Sequence, residues 1–155
     1  MATLTDLANE MEALAKRIGN AANQAAKDVA TTVLTDLVQV TPADVGTAIS
    51  NWRITIDSPA VGILGAYVPS PRGRTKNGDW VHAVDPIITA QANVPPTLQH
   101  AQAVLSGKSP GQVIFITNNL PYIETLNNGS SEQAPAGYVD RAVILGGQAV
   151  SKVKI

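Results

Sequence analysis

The chain has 155 residues, of which 45% are hydrophobic and 15% charged, with a formal net charge of −1 and no cysteine. That length suits one domain with an ordinary core. The composition excludes wholesale disorder, disulfide frameworks, cysteine–zinc sites, iron–sulfur clusters and thiol nucleophiles. The charge balance excludes whole-molecule attraction to nucleic acid as the main driving force, while leaving room for a local basic patch.

A surface so sparse in charge fits either burial by other protein or a polar, uncharged exterior. No run of about eighteen apolar residues marks a membrane span. Met1 to Asp6 lacks the basic start and apolar core of a signal peptide. The expected setting is therefore the cytosol, or a particle assembled there.

Leu4, Leu7, Met11, Leu14, Ile18, Ala22, Ala25, Val29, Val33 and Leu37 recur at steps of three or four. That spacing predicts a helix over residues 3–40, roughly 54 Å long if continuous. Thr3 or Thr5 can cap its start, with Asp6 favourable in the first turn. Gly19 followed by Asn20 is its weak point, at a cost of about 1 kcal/mol relative to alanine. A helix of that length outruns a compact domain. It either packs on the chain's own sheet or meets another subunit through its alanine-rich middle.

Thr41-Pro42 stops the helix, because the residue before proline is driven out of helical geometry. Asp44-Val45-Gly46 reads as a turn, and residues 47–51 as one further helical turn. Trp52, Ile54 and Ile56 alternate with polar residues, which predicts a half-buried strand. Val61 to Val68 reads as a second strand, forming a hairpin with the first. Residues 69–79 read as a loop. Residues 81–94 are ambiguous. Pro95-Pro96 opens a helix that Gly107 ends. Gln112 to Thr117 is a strong strand, and Pro121 to Asn128 a short helix closed by Gly129. Residues 139–145 suggest a last helix, with Gly146-Gly147 ending or interrupting it; Val150 to Ile155 reads as a strand or a loose tail. The expected fold class is α+β: a long N-terminal helix packed on a small, mostly antiparallel sheet, with short C-terminal helices.

Little in this pattern carries catalysis. There is no Gly-x-Ser-x-Gly turn, and Ser130 and Ser131 lie far in sequence from His82 and His100. Asp79, His82 and Asp85 sit at three-residue steps, but Trp80 and Pro86 argue against the single helix that would align them as metal ligands. Glu10 and Glu12 point to different helix faces. No glycine loop has the context of a phosphate cradle. Catalytic residues, cofactor and metal are all expected to be absent. The charge cluster of note is Arg72, Arg74 and Lys76, three of eleven basic residues. Three readings fit it: a solvated loop, a dock for an acidic partner, or a lining for a DNA channel where many copies add their charges.

Two segments carry a family resemblance. Asn118-Asn119-Leu120-Pro121-Tyr122, Gly129 and Gln133-Ala134-Pro135-Ala136-Gly137 form one; Pro42, Gly46 and Trp52, in Thr41-Pro42-Ala43-Asp44-Val45-Gly46 and Asn51-Trp52-Arg53, form the other. Together they resemble the tail-completion (neck) protein family of tailed bacteriophages. Val45 stands where that family has threonine, and Asn127 or Asn128 where it has an acidic residue. The stretch 57–96 reads as a variable, insertion-like middle of a single 1–155 domain. Physical chemistry gives the motif scaffold roles: the asparagine pair caps the following helix, Pro121 starts it, and Gly129 closes it.

The resemblance implies a non-enzymatic virion protein. Such a protein forms a homo-oligomeric ring, usually sixfold, in the neck between head connector and tail tube. It completes the tail so that head and tail join, with DNA passing through the centre. Its implied partners are its own copies and the adjacent neck and tail rings (connector or stopper, tail terminator or tube protein). Non-specific contact with genomic DNA in the channel is a further implied contact, and a membrane is not. It would be assembled in the host cytoplasm. The alternatives are a tail terminator or head-side adaptor of the same neck, and a soluble binding module with no virion role.

Overall fold

The computed structural model describes residues 1–70, 72–82 and 84–154. Helix α1 runs unbroken from Leu4 to Val40, 37 residues, or about 55 Å at 1.5 Å per residue. Thr3 and Asp6 form a capping box: Thr3 Oγ1 accepts from the Asp6 amide at 3.1 Å, and the Thr3 amide donates to Asp6 Oδ2 at 2.7 Å. Gly19 does not break the helix. Ending it there would strand about four donors and four acceptors, which costs more than one glycine. At the far end Thr41, held extended before Pro42, bonds back to Leu37 O through both its amide and its hydroxyl.

The short helix α2 (Thr47–Ser50) follows, then strand β1 (Arg53–Ile56). β1 pairs antiparallel with β4 (Ile114–Thr117), Ile54 opposite Ile116 and Ile56 opposite Ile114. The expected hairpin between β1 and Val61–Val68 does not form. Asp57, at φ +63°, continues the β4 pairing: its amide donates to Val113 O at 2.8 Å and its carboxylate accepts from Val113 N at 2.9 Å. The chain then leaves as an irregular strap over 58–70, most of whose bonded backbone groups are served by side chains; the Ser70 amide donates to Val45 O at 3.5 Å.

Asparagines supply most of those bonds. Asn51, fully buried, donates to Leu64 O at 2.8 Å and accepts from Leu64 N at 2.9 Å. Asn93, also fully buried, does the same for Val68, at 2.8 and 2.9 Å. Each side-chain amide stands in for a paired strand residue, so the strap has strand-like satisfaction without a strand.

The segment expected as a loop over 69–79 is also partly ordered. Strands β2 (Arg72–Arg74) and β3 (Trp80–His82) form a second antiparallel sheet around a turn at 75–79. The fold is therefore α+β, with two two-stranded sheets in place of one. Helix α3 (Pro86–Ser106) starts at Asp85, whose carboxylate accepts from Ile87 N at 2.7 Å. It begins about ten residues before the expected start at Pro95-Pro96, and both prolines lie inside it. The periodic burial of Thr89, Asn93, Thr97, Ala101 and Leu105 holds it together against the roughly 3 kcal/mol an internal proline costs.

Helix α4 (Ile123–Asn127) is followed by Gly129 at φ +88°, the left-handed closing residue expected there. Helix α5 (Tyr138–Ser151) passes straight through Gly146-Gly147 rather than ending there. A Cβ on Gly146 would lie 2.6 Å from Val33 Cγ2, so the missing side chain is what lets α5 cross α1 closely. Arg141 pairs with Asp36 across the same crossing at 2.6 Å. One core joins Leu34, Leu37, Val38, Ile49, Trp52, Ile54, Leu105, Tyr138 and Ala142. It belongs to the C-terminal half of α1; the N-terminal half stands clear of it, with every residue from Leu4 to Ile18 exposed.

Candidate functional site

The two motif segments meet. Gln133 Oε1 accepts from the Ala43 amide at 3.0 Å, which clips the 130–137 loop to the turn that ends α1. Trp52 is buried beneath that turn and donates from Nε1 to Thr41 Oγ1 at 2.8 Å. Tyr138 is buried beside them. Burial pushes its pKa up. Thr41 Oγ1 already donates to Leu37 O and accepts from Trp52, and the Tyr138 hydroxyl has no hydrogen-bond partner among the described residues.

Gly46 sits at φ +86°, and a Cβ there would stand 2.4 Å from Asn93 Nδ2. Both the backbone angle and the close amide require glycine. Pro42 and Ala134 are buried, while Pro121 and Pro135 are exposed in the turns on either side of α4. Gly137, at φ +76°, opens α5, and its amide donates to Asn127 O at 2.6 Å.

The asparagine pair does not cap α4, as expected from sequence. Tyr122 occupies the cap position without a side-chain bond. Asn118 donates to Ala48 O at 2.9 Å, tying the end of β4 to α2, and Asn119 donates to Ala60 O at 2.7 Å and Gly62 O at 3.2 Å, holding the strap. Neither role is visible locally, because the acceptors lie more than fifty residues away. Asn127 does cap a helix, though not its own: its Oδ1 accepts from Val139 N at 2.9 Å, at the start of α5.

A cleft of about 450 Å³ opens where these pieces converge, lined by Pro42, Asp44, Arg72, His82, Tyr122 and Gln133 among others. Asp44 is its electrostatic centre. It pairs with Arg72, whose Nε donates at 2.9 Å, and with His82 Nδ1 at 3.0 Å. Sequence spacing had grouped His82 with Asp79 and Asp85. The structure separates them: Asp85 caps α3, and His82 reaches across to Asp44. Tyr122 stands at the rim, 44% exposed; partial burial raises its pKa and the Arg72 charge pulls the other way.

The basic residues are therefore used unequally. Arg72 is neutralised by Asp44 and anchors the hairpin to the motif turn. Arg74 lies over the Trp80 ring, its guanidinium carbon 4.3 Å from the centroid. Lys76, in the turn, has no ion-pair partner among the described residues. Ser131 accepts from Gln133 N at 3.2 Å as part of the loop's own geometry, and His100 stacks on Tyr67 at 4.7 Å. Neither serves as half of a nucleophile–base pair. No group of three or more His, Asp or Glu residues is placed to hold a metal ion among the described residues.

The site is thus an arrangement of caps, clips and one ion-pair cluster, with a helical arm projecting from it. No helix among the described residues is long and apolar enough to cross a membrane. No family model, curated protein or solved structure matches the chain.

Proposed function

We propose that this chain is a structural protein of the tailed-phage neck, a ring component that completes the tail end and lets head and tail join. The observation that carries the reading is the clip between Gln133 and Ala43. The two stretches that resemble the tail-completion family lie about ninety residues apart, yet they act as one structural unit. Around that unit the side chains do scaffold work: a buried tryptophan, a required glycine, asparagines serving distant backbone groups. A ring subunit needs a rigid body that offers different surfaces to two neighbours. The body here also carries an exposed apolar arm and the hairpin of Arg74 and Lys76.

In this reading the hairpin tip touches DNA or the next ring. Repetition around a ring multiplies a contact too weak for a single copy. Mass spectrometry and antibody–gold labelling of purified particles test the proposal. The expected result is the protein in every tailed particle, with gold confined to the head–tail junction. Particles that join heads to tails without it would overturn the reading. Replacing Arg74 and Lys76 by serine, while sparing Arg72, is expected to lower the yield of joined particles while costing no more stability than the exposed Arg74–Trp80 contact supplies, about 0.5–1 kcal/mol.

A further inference from the structure

The N-terminal half of α1 carries an exposed apolar stripe that nothing in its own fold covers. Leu4, Leu7, Met11, Leu14 and Ile18 are all exposed, from 86% at Leu4 to 45% at Ile18. The steps are three, four, three and four, the 3.5-residue repeat of a coiled-coil seam. With Leu4 at position a, Met11 and Ile18 also fall at a, and Leu7 and Leu14 at d.

We propose that this arm pairs with the same arm of a second copy as a short antiparallel coiled coil. Charge settles the direction. Glu10 and Arg17 both fall at g, and neither has an ion-pair partner among the described residues. In an antiparallel pair g faces g, so Glu10 of each copy meets Arg17 of the other, twice over by symmetry. In a parallel pair g faces e, and the e positions, Ala8, Ala15 and Ala22, bear no charge. The antiparallel arrangement also opposes the two helix dipoles.

The register follows from packing a against d. A two-fold axis between residues 12 and 13 sets Met11 against Leu14 of the second copy, and Leu7 against Ile18. It delivers Leu4 to Ala21. That end of the arm opens onto a groove of about 460 Å³ whose α1 wall includes Ala21, Ala25 and Val29. The most exposed leucine of the stripe thus reaches a stretch of α1 with small side chains, Ala21, Ala22, Ala25 and Ala26. The contact is two-fold and made by the arms alone, so it stands or falls independently of the proposed ring.

The chain has no cysteine, so single substitutions give a clean readout. Met11→Cys protein mixed with Leu14→Cys protein under mild oxidation is expected to form a covalent dimer. Met11→Cys alone, and an Asn9→Cys control on the opposite face, are expected to form little. In sedimentation of the full chain, Glu10→Arg is expected to weaken pairing about tenfold, and Glu10→Arg with Arg17→Glu to restore it. Circular dichroism of each variant checks the fold, and an unchanged helical signal is expected because the substituted residues are exposed. Preferential Met11→Cys homodimers would establish a parallel pair and overturn the proposal. So would cross-linking no greater than that of the Asn9→Cys control, or a charge reversal that the second reversal does not rescue.

Discussion

Asn93 is the residue on which the strap over 58–70 depends, and replacing it by alanine measures how much. Its carboxamide makes four bonds: Oδ1 accepts from Ser50 Oγ at 3.0 Å and Val68 N at 2.9 Å, and Nδ2 donates to Val68 O at 2.8 Å and Thr89 O at 2.9 Å. Thr89 O stays satisfied within α3 after truncation, and the Val68 groups lie near enough to the surface to recover part of their loss from water. The Ser50 hydroxyl, fully buried, loses its acceptor outright. One stranded buried hydroxyl, two weakened backbone groups and a small cavity together cost about 2–4 kcal/mol. For a chain of this length that lowers the melting temperature by about 5–15 °C. Amide exchange at Leu64, Tyr67 and Val68 is expected to accelerate more than exchange in β1 and β4, because the strap opens before the core does. Asn93→Asp keeps the shape but offers no donor when ionised. Burial raises the pKa of that carboxyl, so the defect is full above the raised value and shrinks as pH falls through it and the carboxyl becomes a donor. A loss below about 1 kcal/mol for Asn93→Ala, or strap amides no faster than core amides, would refute this account of the strap.

Three other expectations follow from single contacts. Gly146→Ala is expected to destabilise by about 1–3 kcal/mol, because its new methyl collides with Val33. Gly147→Ala meets nothing within 4 Å and is expected to stabilise by about 0.5–1 kcal/mol; equal effects in thermal melts would contradict the close helix crossing. Tyr138→Phe removes a buried hydroxyl without a hydrogen-bond partner, so at neutral pH it is expected to leave stability unchanged or raise it by up to about 1 kcal/mol. The same substitution reads the pH dependence. A tyrosine pKa raised by burial favours the protonated folded state below the unfolded value of about 10, and that contribution is lost as pH rises through the folded value. The variant should lose less stability above pH 10 than the parent does; matching alkaline limbs in denaturant titrations would show that Tyr138 ionises freely.

Elements governed by neighbours along the chain were legible in advance. The α1 period, the Thr3–Asp6 cap, the stop at Thr41-Pro42, the β1 and β4 segments and the turn glycine after α4 all depend on interactions within a few residues. The misread elements depend on distant groups. The apolar run from Val61 to Val68 looks like a strand, but Asn51, Asn93 and Asn119 satisfy its backbone from elsewhere. Pro95-Pro96 looks like a helix start because proline's local cost is plain while the buried face running from Thr89 to Leu105 is not. Gly146-Gly147 looks like a helix end until Val33 is found against it.

The same division holds for the candidate site. The motif residues stood out in sequence as turn and cap chemistry, but their assignments changed on folding: Asn118 and Asn119 fasten other segments, and Asn127 caps a helix that begins beyond the next loop. Arg72, Arg74 and Lys76 stood out only as a cluster of like charge. Asp44 took Arg72 and Trp80 took Arg74, which left Lys76 at the tip. Periodicity and capping are local free energies, so the sequence alone determined where most helices and strands lie and that a long apolar-striped helix leads the chain. Which backbone groups a buried amide serves, which charge neutralises which, and how much of that stripe the core covers depend on groups brought together only by folding, and the tertiary structure alone decided them.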